Sequence, residues 1–392
     1  MDPGLLTSRP AVQALRSSKI REVANAGMGK PDLLAFWFGE PDEVTPEFIR
    51  QAGVEALQRG DTFYTQNFGI PELRDSIAAY VSRLHGVQQK ITSDNIAVTN
   101  SGMSALMLTT QALIGPGDRV VIITPVWPNL VEIPKILGAQ AVSVPLSFGG
   151  PRGWTLDLER LLDALTPGTR ALYVNSPNNP TGWTITRQEQ AAILAHCRRH
   201  GIWILADDAY ERLVYSDSVA PSFLDFGSAA DRIVSTNTFS KSWLMTGWRL
   251  GWIVAPRELM PGLGTLIEYN TSCAPGFVQR AGIAAIEHGD AVIQRTQQRF
   301  HHARDYLARR LRELPGIEAP LPAGAMYTFF KLRGMTDSLD YCKRLVAETG
   351  LGLAPGIAFG PEGEGYLRWC FAASEERLDQ GVYRLKKFIT GH

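Results

Sequence analysis

Between residues 95 and 255, short runs of apolar and β-branched residues alternate with stretches of helical character. This alternation predicts an α/β fold with a largely parallel sheet that is covered by helices on both faces. The predicted strands are 96–99, 120–124, 141–144, 171–175, 203–206, 233–235 and 251–254, and helices between them are predicted at 104–114, 158–165 and 187–200.

The segments on either side have a different character, and 392 residues are more than one core usually holds. Residues 1–44 are predicted to form an N-terminal arm and part of a small domain, 45–288 a large domain, and 289–392 a small α+β domain. The small domain begins with a long charged helix, and 34–38 is a short strand candidate. Thr45, Pro46 and Glu47 are expected to be the N-cap, first residue and first-turn acid of a helix that runs to Arg59.

The composition excludes several classes of partner. Lys plus Arg and Asp plus Glu both number 39, so the balanced charge gives no support for binding nucleic acid or an anionic membrane. No apolar run is long enough to span a bilayer, and no secretory signal is recognisable. The four cysteines are far apart and lack metal-site spacing. We therefore expect a reduced, cytoplasmic protein without a metal.

Polar or aromatic loops follow five of the predicted strands. In parallel sheets, ligands bind beyond the carboxyl ends of the strands, which meet at one edge. The sequence therefore predicts a single site at that edge, built from loops 99–103, 125–127, 175–181, 207–210 and 236–241.

Lys241 lies among small hydroxyl residues in one of these loops, and Arg249 follows shortly after it. A desolvated lysine beside other cations becomes a neutral amine, which can condense with an aldehyde. Thr238, Ser240 and Arg249 could hold a phosphate by charge-assisted hydrogen bonds. Taken alone, a Ser-x-Ser-Lys stretch is far more often a solvated Ser-Lys pair followed by a structural arginine.

The other loops carry groups with a similar choice of roles. The turn at 101–103 precedes a helix, whose N-terminus can bind phosphate. Asp207 ends a buried strand and needs a cationic partner, which could be a protonated pyridine nitrogen or a nearby arginine. Asn179 and Tyr210 could bind a phenolate-like oxygen and Trp127 could stack on a ring, or they could serve a turn and the core. Arg368 interrupts an apolar strand, so it needs a substrate carboxylate or an internal salt bridge.

This combination resembles the class I/II, fold-type I pyridoxal-phosphate aminotransferases of the aspartate aminotransferase kind. The resemblance covers nearly the whole chain, and its motifs stand in the family's order. It implies a mostly parallel seven-stranded sheet sandwiched by helices, plus a smaller α+β domain. The motifs are Gly39-Glu-Pro-Asp42, Tyr64 ahead of Gly69-Ile-Pro-Glu-Leu-Arg74, Ser101-Gly102-Met103, Trp127, Asn175-Ser-Pro-Asn-Asn179-Pro-Thr-Gly182, Asp207 with Tyr210, Ser240-Lys241, Thr246-Gly-Trp-Arg249 and Arg368.

The resemblance implies pyridoxal 5'-phosphate as the cofactor and assigns a role to each motif. Lys241 would form the internal aldimine and shuttle protons, while Asp207 would keep the pyridine nitrogen protonated. Asn179 and Tyr210 would bind the 3-hydroxyl oxygen, and Trp127 would stack on the ring. The phosphate would be held by Ser101, Gly102, Met103, Thr238, Ser240 and Arg249, and by Tyr64 of the neighbouring subunit in a homodimer. The substrate α-carboxylate would be bound by Arg368, Gly39 and Asn179.

The reaction implied is ping-pong transfer of an amino group between an L-amino acid and a 2-oxo acid. Other reactions on the same scaffold stay open, namely those of a C–S β-lyase, a cyclopropane-forming synthase or a racemase. A non-enzymatic sensor half of a transcription regulator is disfavoured because only 38 residues, not basic in character, precede Gly39.

The substrate is left open by the sequence. Ser104, Asp208 and Ala209 depart from the usual family residues, which puts the subgroup in doubt. An apolar or aromatic pocket is suggested by Trp37, Phe38, Trp127 and Tyr327. No second cation for a distal carboxylate can be recognised.

Overall fold

The computed structural model describes residues 8–86, 90–149, 153–228 and 230–391. All seven predicted strands of the central region are present, several of them one to three residues longer than expected. The strands are β1 (Leu34–Ala35), β2 (Ile96–Thr99), β3 (Arg119–Thr124), β4 (Gln140–Pro145), β5 (Ser147–Phe148), β6 (Trp154–Thr155), β7 (Thr169–Asn175), β8 (Trp203–Asp207), β9 (Ile233–Thr238), β10 (Gly251–Val254), β11 (Ile317–Glu318), β12 (Tyr327–Leu332), β13 (Leu351–Gly352), β14 (Ala354–Pro355) and β15 (Tyr366–Cys370).

The central sheet has seven strands in the order β2-β10-β9-β8-β7-β3-β4. Strand β10 is antiparallel to both of its neighbours, and the remaining pairs are parallel. The parallel strands consist of apolar runs because helices cover both faces, and Val120, Val121 and Ile122 of β3 are almost fully buried. The α/β fold with a mostly parallel seven-stranded sheet is therefore confirmed.

Helices alternate with these strands, and others pack against the strands of a second sheet. Among the described residues, no helix combines the length and the apolar character that crossing a membrane requires. The helices are α1 (Pro10–Gln13), α2 (Lys19–Gly27), α3 (Glu47–Arg59), α4 (Pro71–His85), α5 (Gly102–Leu113), α6 (Asn129–Ile136), α7 (Leu158–Ala164), α8 (Arg187–His200), α9 (Met260–Asn270), α10 (Gly276–His288), α11 (Asp290–Arg312), α12 (Ser338–Thr349) and α13 (Glu375–Thr390).

A second sheet has four strands in the order β11-β12-β15-β14 and lies in the part of the chain with α11, α12 and α13. Strand β1 pairs in parallel with β13, which joins the N-terminal segment to this region. The arrangement is compatible with the predicted domains 1–44, 45–288 and 289–392, whose boundaries stay a prediction. Residues 1–7 of the predicted arm lie outside the described residues.

Near the N-terminus, one predicted strand is present but shorter than expected, and one predicted helix cap was wrong. The strand expected at 34–38 pairs only at Leu34 and Ala35. The N-cap of α3 is Pro46 instead of Thr45. The Thr45 hydroxyl donates to the carbonyl of Leu244 at 2.6 Å and accepts from Trp248 Nε1 at 3.0 Å. These long-range bonds occupy the side chain that the sequence assigned to a local cap.

Candidate active site

A cavity of about 470 Å³ opens where the carboxyl ends of the parallel strands meet. It contains most of the predicted site residues, so the strand-end loops converge as the sequence predicts. Among the described residues, no cluster of His, Cys, Asp and Glu could hold a metal ion. The predicted residues that line the cavity are Gly39, Gly102, Met103, Trp127, Asn179, Asp207, Tyr210, Thr238, Ser240, Lys241, Arg249 and Arg368.

The N-terminus of α5 forms one end of the cavity. Ser101 is the N-cap of this helix, and its hydroxyl accepts a hydrogen bond from the amide of Ser104 at 3.2 Å. The first amides of a helix have no partner within the helix, so those of Gly102 and Met103 are available to an anion. A Cβ added at Gly102 would lie 3.1 Å from Thr238 Cβ, so a glycine lets the helix end approach the hydroxyl residues.

Three side chains face this helix end. The hydroxyls of Thr238 and Ser240 are 2.9 Å apart and hydrogen-bonded to each other. Arg249 is exposed, and its Nη1 donates to the carbonyl of Thr246 at 2.7 Å. Among the described residues, no carboxylate forms an ion pair with Arg249. The group therefore combines helix amides, two hydroxyls and a free guanidinium, which suits a phosphate dianion.

Lys241 lies in the middle of the cavity with its Nζ donating to the carbonyl of Gly39 at 2.7 Å. Burial lowers the pKa of its ammonium to about 8, and the positive charges of Arg368 and Arg249 act in the same direction. The amine is also 5.8 Å from the centre of the Tyr210 ring. A lysine with this pKa is neutral in about a tenth of the molecules at pH 7, far more than an ordinary lysine, and imine formation and proton transfer require the neutral amine.

Asp207 is buried at the end of β8, and only 6% of its surface is exposed. Within the described part of the chain it forms no ion pair, and its Oδ1 accepts one long bond from the amide of Ala209 at 3.3 Å. Burial raises the pKa of this carboxyl to about 6. The internal salt bridge that the sequence left open is therefore not formed, and the carboxyl can receive a cation from the cavity.

Asn179 and Tyr210 both have fixed orientations. Because arginine only donates, the bond of 2.9 Å from Arg368 Nη1 must end on Asn179 Oδ1, so the Nδ2 group of Asn179 remains as a donor. The backbone N–H of Asn179 donates to Asn175 Oδ1 at 2.8 Å. The hydroxyl of Tyr210 is 2.8 Å from that of Tyr327, and burial raises the pKa of both phenols.

Arg368 is 2% exposed and has no ion pair among the described residues. Its guanidinium is 4.4 Å from the centre of the Tyr327 ring and 4.8 Å from that of Phe359. It donates to Asn179 and to the carbonyl of Trp37, but its buried Nε has no partner. A buried guanidinium with an unpaired N–H donor and no counter-charge is suited to bind a carboxylate. This favours the substrate carboxylate over the internal salt bridge as the partner of Arg368.

Other lining residues were missed or only partly anticipated. Phe38, Trp127 and Tyr327 do line the cavity, whereas Trp37 contributes only its carbonyl, through Arg368. Tyr64 is far from being enclosed, with 90% of its surface exposed. Ser18, Ile20 and Arg21, at the start of α2, also line the cavity, and no sequence pattern indicates this.

The geometry can be compared with that of known proteins. Residues 31–385 match the family described as "Aminotransferase class I and II". The chain belongs to this family. It is 32% identical over 97% of its length to the aspartate aminotransferase of Pyrococcus horikoshii, covering 96% of that protein. It is also 32% identical over 97% of its length to the probable N-acetyl-LL-diaminopimelate aminotransferase of Bacillus subtilis, covering 95% of that protein.

Solved aminotransferase structures share the fold. The crystal structure of the Thermotoga maritima aspartate aminotransferase superimposes with a TM-score of 0.90 at 32% identity, covering 98% of this chain and all of that one. This confirms the predicted fold class and the resemblance to class I/II aminotransferases. The family and these relatives make the protein an enzyme, a transaminase.

Proposed function

We propose that this aminotransferase binds pyridoxal 5'-phosphate in the cavity and transfers amino groups between an L-amino acid and a 2-oxo acid by a ping-pong mechanism. The observation that carries the proposal is the pair formed by Lys241, whose pKa is lowered, and Asp207, which is buried and forms no ion pair with any described residue. The two groups share one cavity with a phosphate-type site at the N-terminus of α5.

The residues present fit this cofactor. Ser101, Gly102 and Met103 would bind the phosphate through the backbone, helped by Thr238, Ser240 and Arg249. Asp207 would hold the proton on the pyridine nitrogen, and the Nδ2 of Asn179 with the hydroxyl of Tyr210 would bind the 3-hydroxyl oxygen. Trp127 would stack on the ring. When bound, the cofactor supplies an aldehyde and a cationic ring that withdraws electrons from the substrate α-carbon.

The chain's own groups bind and activate the amino acid. Arg368 would hold the α-carboxylate, and Asn179 would orient the guanidinium. Gly39 would help to bind the same carboxylate. Lys241 would take the proton from the α-carbon, since its neutral form is accessible. Before it does so, its Nζ must leave the carbonyl of Gly39.

The assembly of two subunits is also a proposal. Tyr64 is exposed in the connection between α3 and α4 and lies outside the cavity of its own chain. Phe63 and Tyr269 are similarly exposed, so large aromatic groups are available for a subunit contact. A homodimer in which Tyr64 reaches the partner's phosphate site accounts for an aromatic residue in this position.

The cytoplasmic location stays a prediction from the free cysteines.

The test uses Lys241→Ala, with Lys135→Ala on the exposed part of α6 as the matched control. We expect Lys241→Ala to lose turnover and Lys135→Ala to keep it. With an amino donor alone, the wild-type protein should change the absorbance of its bound cofactor and release 2-oxo acid in an amount no greater than the cofactor present. Normal turnover by Lys241→Ala would contradict the proposal. Release of pyruvate and ammonia from a cysteine-type substrate would favour a β-lyase instead.

A further inference from the structure

The first turn of α2 lines part of the cavity together with Phe38. Ser18 is the N-cap of this helix, and its hydroxyl accepts from the amide of Arg21 at 3.3 Å. The cap fixes the backbone of the turn that brings Arg21 to the cavity. The guanidinium of Arg21 lies 5.6 Å from the centre of the Phe38 ring.

Arg21 is a cation without a counter-charge among the described residues. The acid on its own helix, Glu22, is already paired with Lys19 at 2.9 Å and with Lys343 at 2.6 Å. Glu40, which follows the cavity segment, accepts from the hydroxyl of Thr246 at 2.8 Å. The neighbouring cations are thus neutralised locally, whereas Arg21 is left for an anion that enters the cavity.

The segment 37–39 contacts three cationic side chains that line the cavity. The carbonyl of Trp37 accepts from Arg368, and the carbonyl of Gly39 accepts from Lys241. The ring of Phe38, between them in sequence, supports Arg21. A substrate with its α-carboxylate on Arg368 and its α-carbon at Lys241 has used two of these groups. The third, Arg21, remains for its side chain.

We propose that Arg21 binds the distal carboxylate of a dicarboxylic amino acid and of the matching 2-oxo acid, and so selects acidic substrates. This inference rests on the proposed function. The apolar wall of Met103, Leu106 and Trp127 would contact the methylene groups between the two carboxylates. The charge balance fits, because Asp207 is the cavity's carboxylate while Arg21, Arg249, Lys241 and Arg368 are its basic groups.

The experiment compares Arg21→Gln with Lys19→Gln, which removes the same charge from the same turn but breaks only a surface pair. Steady-state kinetics with glutamate, aspartate, alanine and phenylalanine separate KM from kcat. For Arg21→Gln, we expect kcat/KM to fall about 10- to 100-fold for the acidic donors, mainly through KM, and to change little for the neutral ones. Arg21→Lys should restore part of the loss, because it restores the charge but not the planar fork.

A binding measurement gives a second readout that does not depend on turnover. Calorimetry with glutarate should show a similar loss of affinity in Arg21→Gln and none in Lys19→Gln. An equal change for acidic and neutral donors, or no change, would overturn the role of Arg21. Wild-type activity restricted to neutral donors would overturn it while leaving the proposed function intact. Failure of the wild-type protein with every amino donor would instead refute the proposed function.

Discussion

Gly251 is the first residue of β10, and it packs directly against the turn that begins α5. A Cβ added at this position would lie 2.5 Å from the amide nitrogen of Gly102, 2.6 Å from the carbonyl carbon of Ser101 and 2.7 Å from the carbonyl oxygen of Asn237. All three are backbone atoms, so no side chain can rotate to make room. The substitution Gly251→Ala therefore acts on the proposed phosphate site without changing any group that would touch the ligand.

The expected magnitude follows from these distances. Restoring an ordinary contact of about 3.4 Å requires the helix end and β10 to separate by about 1 Å. A displacement of this size weakens one or two charge-assisted hydrogen bonds to the phosphate, for a loss of about 3 kcal/mol, or roughly 100-fold in the Kd of pyridoxal 5'-phosphate. The overpacked backbone should also cost about 1–3 kcal/mol of folding free energy.

The assay is a titration of cofactor-free protein with pyridoxal 5'-phosphate, followed by absorbance, together with circular dichroism to verify the fold. Gly247→Ala is the matched control, because a Cβ there meets nothing within 4 Å and the residue lies in the connection just before β10. We expect Gly247→Ala to bind like the wild type. A folded Gly251→Ala protein with unchanged cofactor affinity would show that the turn at 101–103 does not hold the phosphate.

Two further predictions concern residues outside the cavity. His85 is 1% exposed between Asp225 and Glu211, and although burial lowers its pKa, hydrogen bonds to these two carboxylates outweigh burial and raise the pKa to about 10. Its contribution to folding stability should be complete below pH 6.5 and disappear as the pH rises through 10. In urea unfolding, His85→Gln should therefore lower the free energy of unfolding by about 3–5 kcal/mol at pH 6.5 and by less at pH 10, whereas His302→Gln, an exposed control, should lower it little. A cost independent of pH would refute the charged state of His85. Tyr64→Phe should weaken cofactor binding about 10-fold while Tyr383→Phe does not, and a wild-type holoenzyme that sediments as a monomer would contradict the shared site.

The sequence predicted the sheet and most of the cavity because both depend on local patterns. Runs of apolar residues mark strands that are buried on both faces, and parallel strands bring their carboxyl ends to one edge. The positions of Asp207 and Lys241 follow from this rule alone. Their function did not, because each residue on its own is compatible with an internal salt bridge or a solvated side chain.

The parts of the fold and the site that could not be predicted depend on contacts between segments that are distant in sequence. Thr45 is a residue type that commonly caps helices, yet its hydroxyl is hydrogen-bonded to Leu244 and Trp248. The choice for Arg368 between a salt bridge and a substrate site needed the positions of every nearby carboxylate. Arg21 reaches the cavity only because α2 packs near Phe38, and no periodicity of residues 19–27 indicates this.

The direction of β10 determines that one connecting segment contains two residues of the site. A strand running parallel to β9 would need a crossover of a dozen or more residues and would begin at the opposite edge of the sheet. Because β10 runs antiparallel, the connection 239–250 does not cross the sheet, and the residues just before β10 stay at the edge where β9 ended. Lys241 and Arg249 therefore lie in a single connecting loop, so an insertion in 242–248 would separate the reacting amine from the arginine that would bind the phosphate, without disturbing the sheet.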